Sequence, residues 1–183
     1  MNKLYILIAL TISFTVSAQI ATTGTSNSGL NASAIGFNTT ASNTVSTAMG
    51  RETLASGVTS TAMGYQTKAT NTAATAMGNN STASGVTSTA MGNNSTASGE
   101  TSIAMGFETE ANNSASIAMG YQTSSTEGAS TAMGFKTTAS GFGSTSIGYE
   151  TTASGNSSAA MGWLTAANGK ASIAMGKSTI ASD

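Results

Sequence analysis

The side chains that could support catalysis are few in this chain of 183 residues. There is no His and no Cys, so neither a Ser–His nor a Cys–His nucleophile pair can be built. The carboxylates are six scattered Glu and one Asp, the last residue. Glu108 and Glu110 would share one face of a strand, but no polar pocket is expected around them. We therefore predict no enzymatic activity, no cofactor and no metal ion, since each needs a cluster of such groups.

The low charge of the chain argues against further classes of function. Only 7% of residues are charged, where about a quarter is usual, and the net charge is −1. Without a basic field to attract phosphates, nucleic acid is not expected as a partner. A chain so rich in small polar residues is either disordered or held together by a repeat, and periodicity decides between the two.

A glycine recurs every fourteen residues without a gap. We call each of these glycines the fourteenth position of a coil, and they are Gly36, Gly50, Gly64, Gly78, Gly92, Gly106, Gly120, Gly134, Gly148, Gly162 and Gly176. The thirteenth position is Met in nine coils and Ile in two, at Ile35 and Ile147. The twelfth is Ala except at Ser146, and the third is always Thr or Ser. A period this strict predicts one repeated structural unit.

Each coil is expected to hold two short strands and two tight turns. The seventh position is Gly or Asn in every complete coil but one, which has Glu127. Gly and Asn accept the positive φ of sharp corners, so turns are expected at the seventh and fourteenth positions. The runs of about five residues between them carry Thr and alternate in character, which indicates strands. We predict an all-β parallel β-roll, or β-solenoid, about 50 Å long.

The charges indicate which side chains point outward. Within the repeats they occur only at the first, second, fourth, seventh and eighth positions. The third-position Thr and fifth-position Ala should therefore point inward, and the fourth position should face water. In the second strand both faces lack charge. The simplest arrangement puts the small tenth and twelfth residues inside and Met outside, and the alternative puts Met inside and the Ser/Ala face outside.

With Met outside, association of chains along the Met row is expected. Monomers rarely expose so long an apolar stripe, and burying one Met contributes roughly 1.5–3 kcal/mol before entropy. The methionines predicted to form an interface between chains are Met49, Met63, Met77, Met91, Met105, Met119, Met133, Met161 and Met175.

The first position, after each glycine, is mostly aromatic. One interpretation is a ligand-facing rim made of Tyr65, Phe107, Tyr121, Phe135, Tyr149 and Trp163, with Phe37 at the same position of an earlier coil. The alternative is that each ring packs over its own turn or against a neighbouring chain. Asn79 and Asn93 interrupt the aromatic series in two nearly identical coils.

The first 18 residues have the pattern of a signal peptide. Lys3 precedes an apolar run from Leu4 to Val16, and Val16-Ser17-Ala18 suits cleavage before Gln19. The run is too short to span a membrane as a helix. We predict export, with residues 1–18 removed, residues 19–30 forming an N-terminal cap and degenerate first coil, and residues 31–183 forming the roll.

Several runs resemble the head repeat of YadA-type trimeric autotransporter adhesins. They are Asn31-Ala-Ser-Ala-Ile-Gly36, Ala115-Ser-Ile-Ala-Met-Gly120 and Ala171-Ser-Ile-Ala-Met-Gly176, with the linking pattern Thr39-Thr-Ala-Ser-Asn43. The resemblance covers residues 23–183. It implies a left-handed roll, a homotrimer of side-by-side rolls, and interface positions at the eleventh and thirteenth residues.

The resemblance implies a head at the cell surface, on the outer membrane, that attaches to matrix protein, glycan, other cells or surfaces. Such adhesins usually continue into a coiled-coil stalk and a C-terminal membrane barrel. The sequence ends at Asp183, halfway round a coil. We therefore expect a truncation before the stalk and anchor, with membrane contact only through that missing anchor and secretion if no anchor exists.

Two alternative functions stay open. Regular Thr ladders on flat β-solenoids can bind ice, and Thr59, Thr61, Thr87 and Thr89 supply two T-x-T units. Similar repeats also occur in structural fibres and tail spikes, although a signal peptide argues against these.

Overall fold

A computed structural model describes residues 23–182 of the chain. Within that range the backbone forms strands and turns and no helix, and therefore no helix long and apolar enough to cross a membrane. The predicted signal peptide, residues 1–18, lies outside the described residues, as do residues 19–22.

Two parallel sheets lie back to back along the rod. The eleven-stranded sheet contains the five-residue strands β2 (Ser33–Phe37), β4 (Thr47–Arg51), β6 (Thr61–Tyr65), β8 (Thr75–Asn79), β10 (Thr89–Asn93), β12 (Ile103–Phe107), β14 (Ile117–Tyr121), β16 (Thr131–Phe135), β18 (Thr145–Tyr149), β20 (Ala159–Trp163) and β22 (Ile173–Lys177). The twelve-stranded sheet contains the two-residue strands β1 (Ser26–Asn27), β3 (Thr40–Ala41), β5 (Leu54–Ala55), β7 (Lys68–Ala69), β9 (Thr82–Ala83), β11 (Thr96–Ala97), β13 (Glu110–Ala111), β15 (Ser124–Ser125), β17 (Thr138–Ala139), β19 (Thr152–Ala153), β21 (Ala166–Ala167) and β23 (Ile180–Ala181). The predicted all-β parallel solenoid of 14-residue coils with two strands per coil is confirmed.

Coils stack in strict register, so equivalent positions form straight rows. Met91 of β10 pairs with Met77 below it and Met105 above it. The same fourteen-residue step relates the partners in the short-strand sheet, as in Thr96 and Thr82. Any residue type repeated at one coil position therefore becomes a ladder along the rod.

The turns differ from the prediction. The fourteenth-position glycines lie inside the long strands, and the seventh-position glycines lie in turns without positive φ. The fourteenth-position glycines do have positive φ, between 110° and 136°, but within extended strands. The corners lie at the second and ninth positions, where φ is also positive, as at Glu52 (57°), Thr59 (55°), Gln66 (54°) and Ala73 (53°). These corners are held by bonds to the preceding coil: the N–H of Gln66 donates to the carbonyl of Arg51 at 2.8 Å. The stack therefore compensates for a backbone conformation that non-glycine residues avoid.

The interior is thin and filled by small side chains. In the coil from Arg51 to Gly64, the buried residues include Thr53, Ala55, Ser60 and Ala62 at the third, fifth, tenth and twelfth positions. The largest fully buried side chains among the described residues are threonines. The predicted inward positions are confirmed, and the alternative with Met inside is wrong because the space between the two sheets is filled by side chains no larger than Thr.

In six coils the tenth-position serine closes the turn that precedes the long strand. The hydroxyl of Ser60 donates to the carbonyl of Gly57 at 2.7 Å, and that of Ser88 to Gly85 at 2.8 Å. A buried hydroxyl thereby satisfies its own hydrogen bonding and fixes the corner, which explains why the interior accepts Ser there.

Candidate binding surface

The outer face of the long-strand sheet carries the Met row. We call this surface, made of the eleventh-position Thr or Ile and the thirteenth-position Met or Ile of each coil, the Met face. Most of its methionines are half-exposed, and Met175 in the last long strand is 59% exposed. The residues predicted to form an interface between chains thus point away from the roll. Their contact with another chain stays a prediction.

Aromatic rings form a continuous stack at the end of the long strands. Ring centres are 4.8 Å apart between Phe107 and Tyr121, and 5.0 Å between Tyr121 and Phe135. The next steps are 4.8 Å between Phe135 and Tyr149 and 3.9 Å between Tyr149 and Trp163. All four pairs are within 8° of parallel. Five of the six predicted rim residues therefore form one stack, which leaves the ring edges outermost. Ligand binding by this rim stays a prediction.

The sixth predicted rim residue, Tyr65, lies in a different arrangement. The guanidinium carbon of Arg51 is 5.4 Å from the centre of the Tyr65 ring and 5.7 Å from that of Phe37. Farther along the rod, the ammonium of Lys136 is 5.3 Å from the centre of the Phe135 ring. The sequence analysis did not single out Arg51. The signal that could have found it is its first-position register between two aromatic residues.

Polar side chains pair along the corner beside the aromatic rows. Gln66 donates from Nε2 to Oε2 of Glu52 at 2.7 Å, and Gln122 makes the same bond to Glu108. The amide of Gln66, and secondarily Arg51, holds the pKa of Glu52 below its ordinary value. Partial desolvation, together with nearby Glu150, raises the pKa of Tyr149.

A shallow depression of about 440 Å³ lies on the same corner. It is lined by second- and fourth-position residues of three consecutive coils: Glu52, Gln66, Lys68, Asn80 and Thr82. It offers a carboxylate, two amides, an ammonium and a hydroxyl, which together suit hydrogen bonding to a polar ligand. Sequence reasoning missed it because the depression forms only where different coils meet.

The two carboxylates weighed for catalysis have separate partners. Glu108 accepts from Gln122 in the next coil, whereas Glu110 accepts from the side chain of Asn112 at 3.4 Å. Within residues 23–182, no three His, Cys, Asp or Glu side chains gather as metal ligands.

The T-x-T units do not form flat threonine pairs. Thr61 lies in strand β6, but Thr59 occupies a corner with φ of 55° and its hydroxyl donates to the carbonyl of Val58 at 2.7 Å. Thr87 repeats this arrangement with Val86. Among residues 23–182, these two T-x-T units therefore do not present the paired threonines that the ice-binding alternative requires.

The sequence profile described as YadA head domain repeat (2 copies) matches residues 28–53, 55–81, 83–109 and 139–165, more than half of the chain. The chain belongs to the YadA head repeat family. The predicted resemblance is thus confirmed, and the parallel solenoid of 14-residue coils is consistent with a YadA-type head. YadA heads form a structural and adhesive family that is not enzymatic, and membership indicates a head of the trimeric autotransporter adhesin type. No curated protein matches the chain.

Proposed function

We propose that this YadA-type head is exported to the cell surface and attaches the cell to matrix protein, glycan, other cells or surfaces through many weak contacts. The observation that carries the proposal is the Met face. An uncharged, half-exposed or exposed apolar surface extends over every long strand of the rod.

The Met face supports a homotrimer of side-by-side rolls. Stacking places one Met or Ile side chain about every 4.8 Å along the face, so two rods can meet over their full length. The Thr or Ile of the eleventh position borders the row and adds no charge that would need desolvation. Flexible methionines can adapt to one another where neighbouring rods do not match perfectly.

A trimer would also supply the means of attachment. Three rods fixed together present each surface feature three times, and every coil repeats it along the axis. Weak contacts made simultaneously combine into strong binding without any single deep pocket. The short-strand sheet and the corners, which carry the variable and charged residues, would remain available to a ligand.

The mass of residues 19–183 in solution tests the assembly. We expect a trimer by light scattering after size exclusion, and a folded monomer from the double variant Met91→Asp/Met105→Asp. The matched control is Thr82→Asp/Thr96→Asp, which adds the same charges at fourth positions on the opposite sheet, where Glu110 occurs naturally. If the wild-type protein has the mass of a monomer, the proposed trimer is wrong.

Retention on immobilised extracellular matrix protein tests attachment. We expect the wild-type protein to be retained, and the Met91→Asp/Met105→Asp variant to wash off at least tenfold faster because only one rod binds. Met91→Leu/Met105→Leu, which keeps the Met face apolar and the trimer together, is the control and should be retained like the wild type. Equal retention of the dissociated variant would contradict the multivalent mechanism. Absence of retention on matrix protein, glycan and whole cells alike would contradict the adhesive function.

A further inference from the structure

The aromatic ladder of the first position has a gap two coils wide. Tyr65 is in register with Asn79, Asn79 with Asn93, and Asn93 with Phe107. We call Asn79 and Asn93, with the rings of Tyr65 and Phe107 on either side, the Asn gap. The two rings are three coils apart, about 14 Å. Because an Asn side chain is much shorter than an aromatic one, most of each ring has no ladder member beside it there.

The same ladder shows what fits between such rings. One coil below the gap, the first position is Arg51, and its guanidinium lies between the rings of Phe37 and Tyr65. A planar cation thus occupies the first position of this coil, where most other coils have an aromatic ring. Both arrangements suit aromatic faces, which attract positive charge and parallel planar groups.

The charges and acceptors around the gap favour a cation. Glu108 and Glu110 follow Phe107 by one and three residues, and Glu52 lies in the coil below Tyr65. The neighbouring cations are Arg51 and Lys68, and Arg51 is already paired with Glu52 at 3.2 Å, which leaves two carboxylates to one ammonium. Asn79 is exposed and Asn93 half-exposed, and their amide oxygens can accept N–H groups.

We propose that the Asn gap binds arginine or lysine side chains of a basic protein segment. Guanidinium groups enter beside the exposed faces of Tyr65 and Phe107, donate to Asn79 and Asn93, and are drawn in by the neighbouring carboxylates. Arginine binds more tightly than lysine because its planar group stacks on a ring and donates several hydrogen bonds at once. This inference rests on the proposed adhesive function and names a class of partner for it.

The sharpest variant closes the gap with residues that the ladder already uses. Asn79→Tyr/Asn93→Tyr completes the stack, and Tyr occurs naturally at this position in Tyr65 and Tyr121, so the variant should fold. We expect a nine-residue arginine peptide to bind the wild-type chain by fluorescence polarisation, and to bind the filled variant at least tenfold more weakly. A nine-residue lysine peptide should bind the wild type more weakly than the arginine peptide.

Two controls locate the binding. Lys177→Tyr, which extends the ladder beyond Trp163 at the far end, should leave the peptide affinity unchanged. Tyr65→Leu should weaken binding without filling the gap, because it removes one aromatic face.

Unchanged affinity of the filled variant would overturn the proposal, since the peptide would then bind to scattered carboxylates. Binding of a neutral oligosaccharide at the gap, with no binding of the arginine peptide, would overturn it as well. Either result would leave the adhesive function intact if matrix retention and trimer mass are unchanged. If the wild-type protein binds the arginine peptide at the gap but is not retained on matrix protein, glycan or cells, the gap proposal stands and the adhesive function fails.

Discussion

The carbonyl oxygen of Gly120 lies 1.9 Å from the point where a Cβ atom on Gly106 would stand. Gly106 also has φ of 136°, a value that residues with a side chain rarely adopt. The same close approach recurs between successive fourteenth-position glycines, at 1.9 to 2.1 Å up to Gly162. Glycine is thus required at the fourteenth position because the backbones of successive coils come too close for a side chain. The requirement does not come from a turn, since these glycines lie in the long strands.

Gly106→Ala is therefore expected to destabilise the roll strongly. The new methyl group must displace the backbone of the next coil and accept a strained φ, which together should cost at least about 3 kcal/mol. Gly143→Ala is the matched control. Gly143 has φ of 63°, and the nearest atom to its Cβ position is Oγ of Ser157, at a comfortable 3.9 Å. Other coils have Ala at the equivalent position, such as Ala73. Urea midpoints measure both, and similar midpoints for the two variants would contradict this explanation.

Because the interior is thin, the same substitution by Leu should have very different effects on stability at two neighbouring residues. Ala97 is fully buried and Thr96 half-exposed, although both lie in the two-residue strand β11. Ala97→Leu should push the sheets apart and cost roughly 1–3 kcal/mol or more. Thr96→Leu should change stability by less than about 0.5 kcal/mol, since Leu54 occupies the equivalent outward position. Thermal unfolding followed by circular dichroism distinguishes them, and equal effects would contradict the assigned directions.

The aromatic stack should contribute to stability through Tyr149. Tyr149→Ala removes the stacking pairs with Phe135 and Trp163, each worth about 0.5–1.5 kcal/mol beyond area burial. Tyr149→Phe keeps both pairs and should be nearly neutral. The single Trp reports the change directly: its emission should shift to the red in Tyr149→Ala and stay in place in Tyr149→Phe. Unchanged emission in Tyr149→Ala would show that the stack is not populated in solution.

The carboxyl group of Glu52 should titrate below its ordinary value of 4.5. The bond from Gln66 favours the ionised form and is the largest cause, so Gln66→Ala should raise the pKa towards the ordinary value. Because the folded pKa is lowered, the stabilisation is present above pH 4.5 and is lost as the pH falls through the lowered pKa. Carboxyl NMR titration measures the pKa, and an unchanged value in Gln66→Ala would contradict the assigned cause.

Much of the fold follows from the sequence because a gapless repeat forces equivalent residues into rows. The fourteen-residue glycine series predicted the coil length, and the positions of the charges predicted that Thr53 and Ala55 point inward. For the second strand the charges left two arrangements open, and the structure confirms the one preferred from the sequence, with Ser and Ala inside and Met outside. The period also supported the family resemblance, which the sequence profile confirms.

The remaining features depend on contacts between coils and could not be predicted from one coil. Positive φ at Glu52 and Thr59, in place of the seventh-position glycines, follows from hydrogen bonds to the preceding coil. Arg51 between two rings and the depression beside Gln66 arise only when residues fourteen apart come within a few ångströms. The sequence by itself determined the period and the inward and outward sides of the short strands, because composition repeats at each position. Only the tertiary structure decided where the chain bends and which side chains meet, because stacking energy between coils outweighs the local preference of any single residue.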